Sequence, residues 1–310
     1  MTEPIRKEKY ITVIGANFLD FVVWDLVKES FLTYCNTNAS KKRFQTPMSE
    51  HSRAAAAIVL SVLGIEAYRN RVYCLEKREV RSSVSNSLCD MITEKSNNFP
   101  ASKLKDLLEE VFVVRDVIVH NHIYEVTVAY QGFTIIGHRQ RRLQGRTDEK
   151  YEKHVNKTTK KTNLLKLNVQ PTKISFEDIF KVLVVVDLTI KIMQQVFGGG
   201  YVPFHVSHKI GRYDAKNLSE ILTYYFDHIP RESFVTFLEK LSTQLRNDFM
   251  SFLSPYPISD CFINNTCPEC LKLGFDKLDN THHCSKCGLS MGFIRDGVLG
   301  VEFTSRDIGD

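Results

Sequence analysis

Two groups of residues in this chain have the types and spacing to do chemistry. The first is Arg115-Asp116-Val117-Ile118-Val119-His120. An imidazole moves protons in both directions near neutral pH. His120 therefore suits a proton shuttle between a ribose 2′-OH and a leaving oxygen. A guanidinium offers forked donors, so Arg115 suits the phosphate, holding it and offsetting developing charge. Together they support RNA cleavage without a catalytic metal. Asp116 stands four residues before His120, a helical spacing at which it would orient the imidazole or raise its pKa. Asn121 follows as a candidate contact to phosphate or ribose.

The second group is Cys267-Pro-Glu-Cys270 and Cys284-Ser-Lys-Cys287, with 13 residues between the two knuckles. This spacing brings four thiolates into a tetrahedron around Zn²⁺. Four thiolates leave no position for a reacting water, so the zinc is expected to be structural. A short segment with little core needs the metal to hold it together. His282 and His283 are spare donors beside the second knuckle, and Cys261 lies outside the set. Cys35, Cys74 and Cys89 read as structural thiols.

The Arg–His pair needs a helix to present it. Pro100 and Ser102 open one, and Leu104, Leu107, Leu108, Val111, Phe112 and Val114 to Val119 give it a broad buried face. On an ideal helix, side chains five positions apart point about 140° away from each other. For both to act, His120 must sit at or past the helix end, or the groove must be shared between two chains. A helix C-terminus also favours the imidazolium form.

The other elements follow from periodicity. Helices are predicted over about 17–35, with Trp24 in the core, and over about 49–78 after Pro47, Ser49 and Glu50. In the latter, Ala54 to Ala57 let a neighbour approach closely. Its Glu50, His51, Arg53 and Glu66 either reach the cleft or, on the plainer reading, form an exposed face. One short helix is expected within 80–98. Ser175 to Asp178 resembles a capping box for a helix over 176–197 that is apolar nearly all round. Gly198 to Gly200 end it. An irregular stretch over 201–214 and helices at about 215–228 and 231–253, split by Pro230, follow as a connecting or packing element.

Residues 125–136 alternate and predict a hairpin turning at Gln131-Gly132. From His138 to Asn163 there are nine Lys/Arg against three acids and almost no apolar residues. This reads as a mobile excursion. It is either a solvated loop or an arm laying Arg139, Arg141 and Arg142 on an RNA backbone, which would make binding salt-sensitive. Residues 262–304 read as a zinc ribbon with a closing hairpin at Asp296-Gly297.

The hexapeptide together with this helical layout, over roughly 10–197, resembles the HEPN superfamily. Its signature is Arg, four to six residues, then His, with a polar residue after the Arg. The resemblance implies a mainly α fold: a helical bundle with a small β-hairpin insertion over 1–200, including the basic excursion 138–163. A helical connecting segment over 201–260 and the zinc ribbon over 261–310 follow. It further implies a symmetric homodimer whose chains each supply an Arg and a His to one groove, an RNA substrate, and a prokaryotic toxin or anti-phage role. Toxins of this kind have an antitoxin or other regulatory partner. In members silenced by a nucleotidyltransferase, a Tyr lies two residues after the His. Here that position is His122, and the nearest Tyr is Tyr124, so the resemblance does not extend to that partner.

Composition sets the outer bounds. With 310 residues the chain suits one large or two modest domains. A net charge of +5 and a pI near 8.7 permit a nucleic-acid partner without demanding one. The polar Met1 to Lys9 carries no secretory signal, and no apolar window of about 18 residues predicts a membrane span. A cytoplasmic location follows, with the Cys reduced or ligating metal. No Gly-rich phosphate loop, Ser-His-Asp set or paired-carboxylate motif points to another enzyme class. Beside the nuclease stand a non-catalytic module that binds RNA or protein through the bundle, arm and ribbon, and a structural subunit that only assembles.

Overall fold

The computed structural model describes residues 21–36, 46–78, 83–120, 123–131, 134–144, 149–197, 208–210, 213–215, 218–249, 275–278, 281–284, 289–293 and 299–303. These are mainly helical. In chain order the helices are α1 (Phe21–Asn36), α2 (Met48–Leu75), α3 (Val84–Lys95), α4 (Ala101–Val119), α5 (Glu149–His154), α6 (Phe176–Phe197), α7 (Leu218–Asp227) and α8 (Glu232–Phe249). No described helix is long and apolar enough to cross a membrane.

Helix α6 is the hub. Fourteen of its residues are buried, from Phe176 to Met193, as expected of a helix apolar on nearly every side. It contacts α1, α2, α3, α4 and α7. Helix α2 packs against α1 and α6 through Ala54, Ala57, Ile58 and Ser61, all fully buried small or branched side chains. Trp24 is in the same core. Helices α7 and α8 bury Ile221, Tyr225, Phe234 and Leu238 in this cluster too.

The start of α6 shows how polar side chains anchor the hub. Asp178 reaches back to accept from the Ser175 N–H at 3.0 Å, the back-bond of a capping box. It also accepts from the Asn168 N–H at 2.9 Å. Glu50 is almost wholly buried, and its Oε1 accepts from the Phe176 N–H at 3.0 Å. Two donors at the helix start, the Ser175 and Phe176 N–H groups, would otherwise lack partners. Burial pushes the Glu50 and Asp178 carboxyls up and the nearby Lys181 ammonium down. Glu50 is thus no part of an exposed face. The reason lies in α6, 126 residues away in sequence, which no local pattern reveals.

The strands differ from expectation in one respect. β1 (Ile123–Gln131) and β2 (Thr134–Gln144) pair antiparallel, as predicted, but β2 runs on through His138 to Gln144. The polar run from 138 is therefore not a structureless excursion. Pairing with β1 gives its backbone groups partners whatever its side chains are. Then α5, the two-residue strands β3 (Val155–Asn156) and β4 (Lys161–Thr162), and a 3-10 turn at Pro171–Lys173 carry the chain to α6. Asn156 Oδ1 accepts from the Thr158 and Thr159 N–H groups, both at 2.9 Å, and so shapes the β3–β4 turn. Within the stretch expected to be irregular, β5 (His208–Ile210) pairs with β6 (Tyr213–Ala215).

Toward the C-terminus, β7 (Phe275–Leu278), β8 (Thr281–Cys284), β9 (Leu289–Phe293) and β10 (Leu299–Phe303) form an antiparallel sheet in sequential order. The expected closing hairpin is the β9–β10 pair, Leu299 opposite Phe293.

Candidate active site

The last turn of α4 carries the candidate pair out of the core. Val117 is fully buried, Val119 is 52% exposed, and His120 is exposed. His120 is the C-cap, with φ −87° and ψ 7°. That is the bridge region, sparsely populated and frequent among turn and active-site residues. Its N–H donates to the Asp116 carbonyl at 2.9 Å. The sequence allows two arrangements, His120 at or past the helix end or a groove shared between chains, and the helix ends one residue before His120.

Arg115 points elsewhere, toward α2. Its Nη2 is 3.1 Å from Glu66 Oε1, and its Nε is 2.9 Å from Asp116 Oδ1. The Cζ sits 5.3 Å from the centroid of the Phe112 ring, a cation–π distance. The Nε is enclosed and makes no hydrogen bond among the described residues. It lies within ion-pair range of Asp116, but the angle is wrong for donation, so the attraction there is Coulombic only. Asp116 thus meets His120 through the backbone and Arg115 through its carboxylate. Glu66 is a partner of the site rather than part of an exposed face.

Asn121 lies outside the described residues. Arg139, Arg141 and Arg142 lie on β2, opposite Thr127, Glu125 and Tyr124 in register. Their partner strand β1 begins at Ile123, just after His120, so the hairpin that follows the catalytic candidates in sequence carries three basic positions on its second strand. Cys267, Cys270 and Cys287 also lie outside the described residues. Cys284 is the last residue of β8, opposite Phe275. The second knuckle therefore spans the β8–β9 connection.

A further constellation has no counterpart in the sequence reading. His154 Nε2 is 2.7 Å from Glu109 Oε2, and both residues are about 95% buried. Lys153 Nζ joins at 3.0 Å from Asp106 Oδ1 and 3.5 Å from Glu109 Oε2. Asp106, Glu109 and His154 offer donor atoms within 4.8 Å of one another, a spacing a metal ion would suit. The Lys153 ammonium already supplies positive charge there, and its hydrogen bond to Asp106 holds its pKa above the ordinary range. The group clasps α5 to α4. The Lys153–Asp106 pair is largely exposed and is worth about 0.2–1 kcal/mol. The His154–Glu109 contact is enclosed. Next to it, Glu110 is fully buried and accepts from the Leu164 and Leu165 N–H groups at 2.6 and 2.8 Å. Two acids on the core face of α4 are thus tethers for the segment after the hairpin. Their partners lie 45 to 55 positions away, beyond any local sequence signal.

Cys89 is buried, and its thiol is pushed up to about 12, first by burial. It is a structural thiol. No family model matches the chain, and neither does a curated protein or a solved structure.

Proposed function

We propose that this chain is a metal-independent RNA endonuclease of the HEPN type, acting as a homodimer in prokaryotic toxin or anti-phage defence. The observation that carries the reading is His120: exposed, capping α4, and just over one helical turn beyond a partly buried Arg115. The two side chains leave the helix in different directions, which suits a groove shared by two copies. In that groove one His120 takes the ribose 2′-OH proton, and the freed oxygen attacks the adjacent phosphorus. The P–O5′ bond breaks, and the second His120 protonates the leaving oxygen. Arg115 offsets charge on the phosphoryl oxygens. The products are a 2′,3′-cyclic phosphate and a 5′-hydroxyl. The expected result is cleavage of single-stranded RNA with these ends, persisting through a brief incubation in chelator. Immediate loss in chelator, or 5′-phosphate ends, counts against the mechanism.

We further propose that Cys267, Cys270, Cys284 and Cys287 hold a structural Zn²⁺ in a C-terminal ribbon. Support comes from the donor set, four thiolates in two knuckles. Elemental analysis of the purified chain is expected to find one zinc per chain, and close to none in Cys284→Ser. Equal zinc in the two proteins would overturn the ligand set.

A second reading, a non-catalytic RNA- or protein-binding module, draws on the carboxylates around Arg115. It predicts salt-dependent RNA binding without product.

A further inference from the structure

The guanidinium of Arg115 is matched against two carboxylates of its own chain, Glu66 and Asp116. Two carboxylates stand at one guanidinium, and the Arg69 guanidinium also lies within Coulombic reach of Glu66. The pair with Glu66 is neither fully screened nor sealed, at 24% and 22% side-chain exposure. The nitrogens involved matter more than the charge count. Nε and Nη2 form the side-on fork that two oxygens of a single oxyanion fit with parallel hydrogen bonds. Here the fork is split, with one carboxylate at each nitrogen, and among the described residues the Nε–H has no hydrogen bond. Two separate acids fill the fork worse than one phosphate would.

We infer that Glu66 is an internal competitor for phosphate at Arg115. It occupies the seat until a substrate backbone displaces it, so the free chain is held in a low-affinity state. This concerns regulation of the proposed nuclease site and rests on that reading. Glu66 comes from α2 and Arg115 from α4, so the contact tightens or loosens with the packing of those two helices.

The test is binding, separated from cleavage. A fluorescein-labelled single-stranded RNA, 2′-O-methylated at every position so that no 2′-OH can attack, is titrated at fixed ionic strength. The proteins are wild type, Glu66→Gln, Arg115→Ala and the double variant. Glu66→Gln keeps the side-chain volume and removes the charge. It is expected to tighten Kd about two- to fivefold, the modest range of a partly exposed ion pair. The double variant is expected to match Arg115→Ala. Asp116→Asn, which leaves α2 untouched, is expected to shift Kd in the same direction. Weaker or unchanged binding by Glu66→Gln, with Arg115→Ala still weakened, overturns the competitor role and leaves the nuclease reading standing. An equal gain in both backgrounds reduces Glu66 to a general charge effect and also overturns it. Arg115→Ala binding as tightly as wild type removes Arg115 from the phosphate site, and both ideas fall.

Discussion

In His120→Ala, RNA cleavage is expected to fall roughly 10²- to 10⁴-fold, the range for removing a general acid–base group. The fold should be nearly untouched. His120 is exposed, lies just past the helix end, and holds its place through its backbone N–H, which alanine retains. Arg115→Ala is expected to lose a comparable factor, roughly 10²- to 10³-fold, as when an oxyanion stabiliser is removed. It has a second consequence, because Glu66 and Asp116 lose their partner. Some loss of thermal stability is therefore expected in Arg115→Ala and almost none in His120→Ala. Single-turnover rates on a labelled RNA, read beside melting curves, separate the two effects. Equal amounts of the two inactive variants, mixed under conditions that let chains exchange, should regain part of the activity if the groove is shared. Wild-type rates in both single variants would end the nuclease assignment.

Phe176→Ala is expected to destabilise the fold by about 3–5 kcal/mol, the upper range for core truncation. Phe176 is fully buried at the first residue of α6. Its ring centroid lies 4.9 Å from Phe31, 5.4 Å from Tyr34, 5.7 Å from Tyr225 and 6.1 Å from Phe180. Truncation opens a cavity where α1, α6 and α7 meet, and surrounding rings of fixed shape cannot collapse into it. The same position is held through the backbone by Glu50, so loss of the ring also loosens a cap. Urea unfolding should show a lower midpoint with little change in slope. A shift under about 1 kcal/mol would mean that α6 does not organise this core.

How much of this was legible beforehand depends on the range of the interaction. The helices expected at 17–35, 49–78 and 176–197 appear among the described residues as α1, α2 and α6. The end of α4 at Val119 places His120 as a cap, one of the two arrangements that the 140° argument allows. All of these are local: apolar spacing, a capping residue, a rotation per residue. The basic run after Gly137 was misread because composition ignores pairing. A polar strand is ordered when a neighbour supplies its hydrogen bonds, and β1 does so.

The residue sequence alone determined the mainly helical class, the α4 helix with Arg115 and His120 at its end, and the two cysteine knuckles, because each is written within a few neighbouring positions. Only the tertiary structure decided that Arg115 turns to Glu66, that Asp116 serves the arginine, and that Glu109 and Glu110 hold the segment after the hairpin. Charged groups find partners through helix packing and burial, and those partners stand up to 126 positions apart in the chain. No periodicity encodes such a distance.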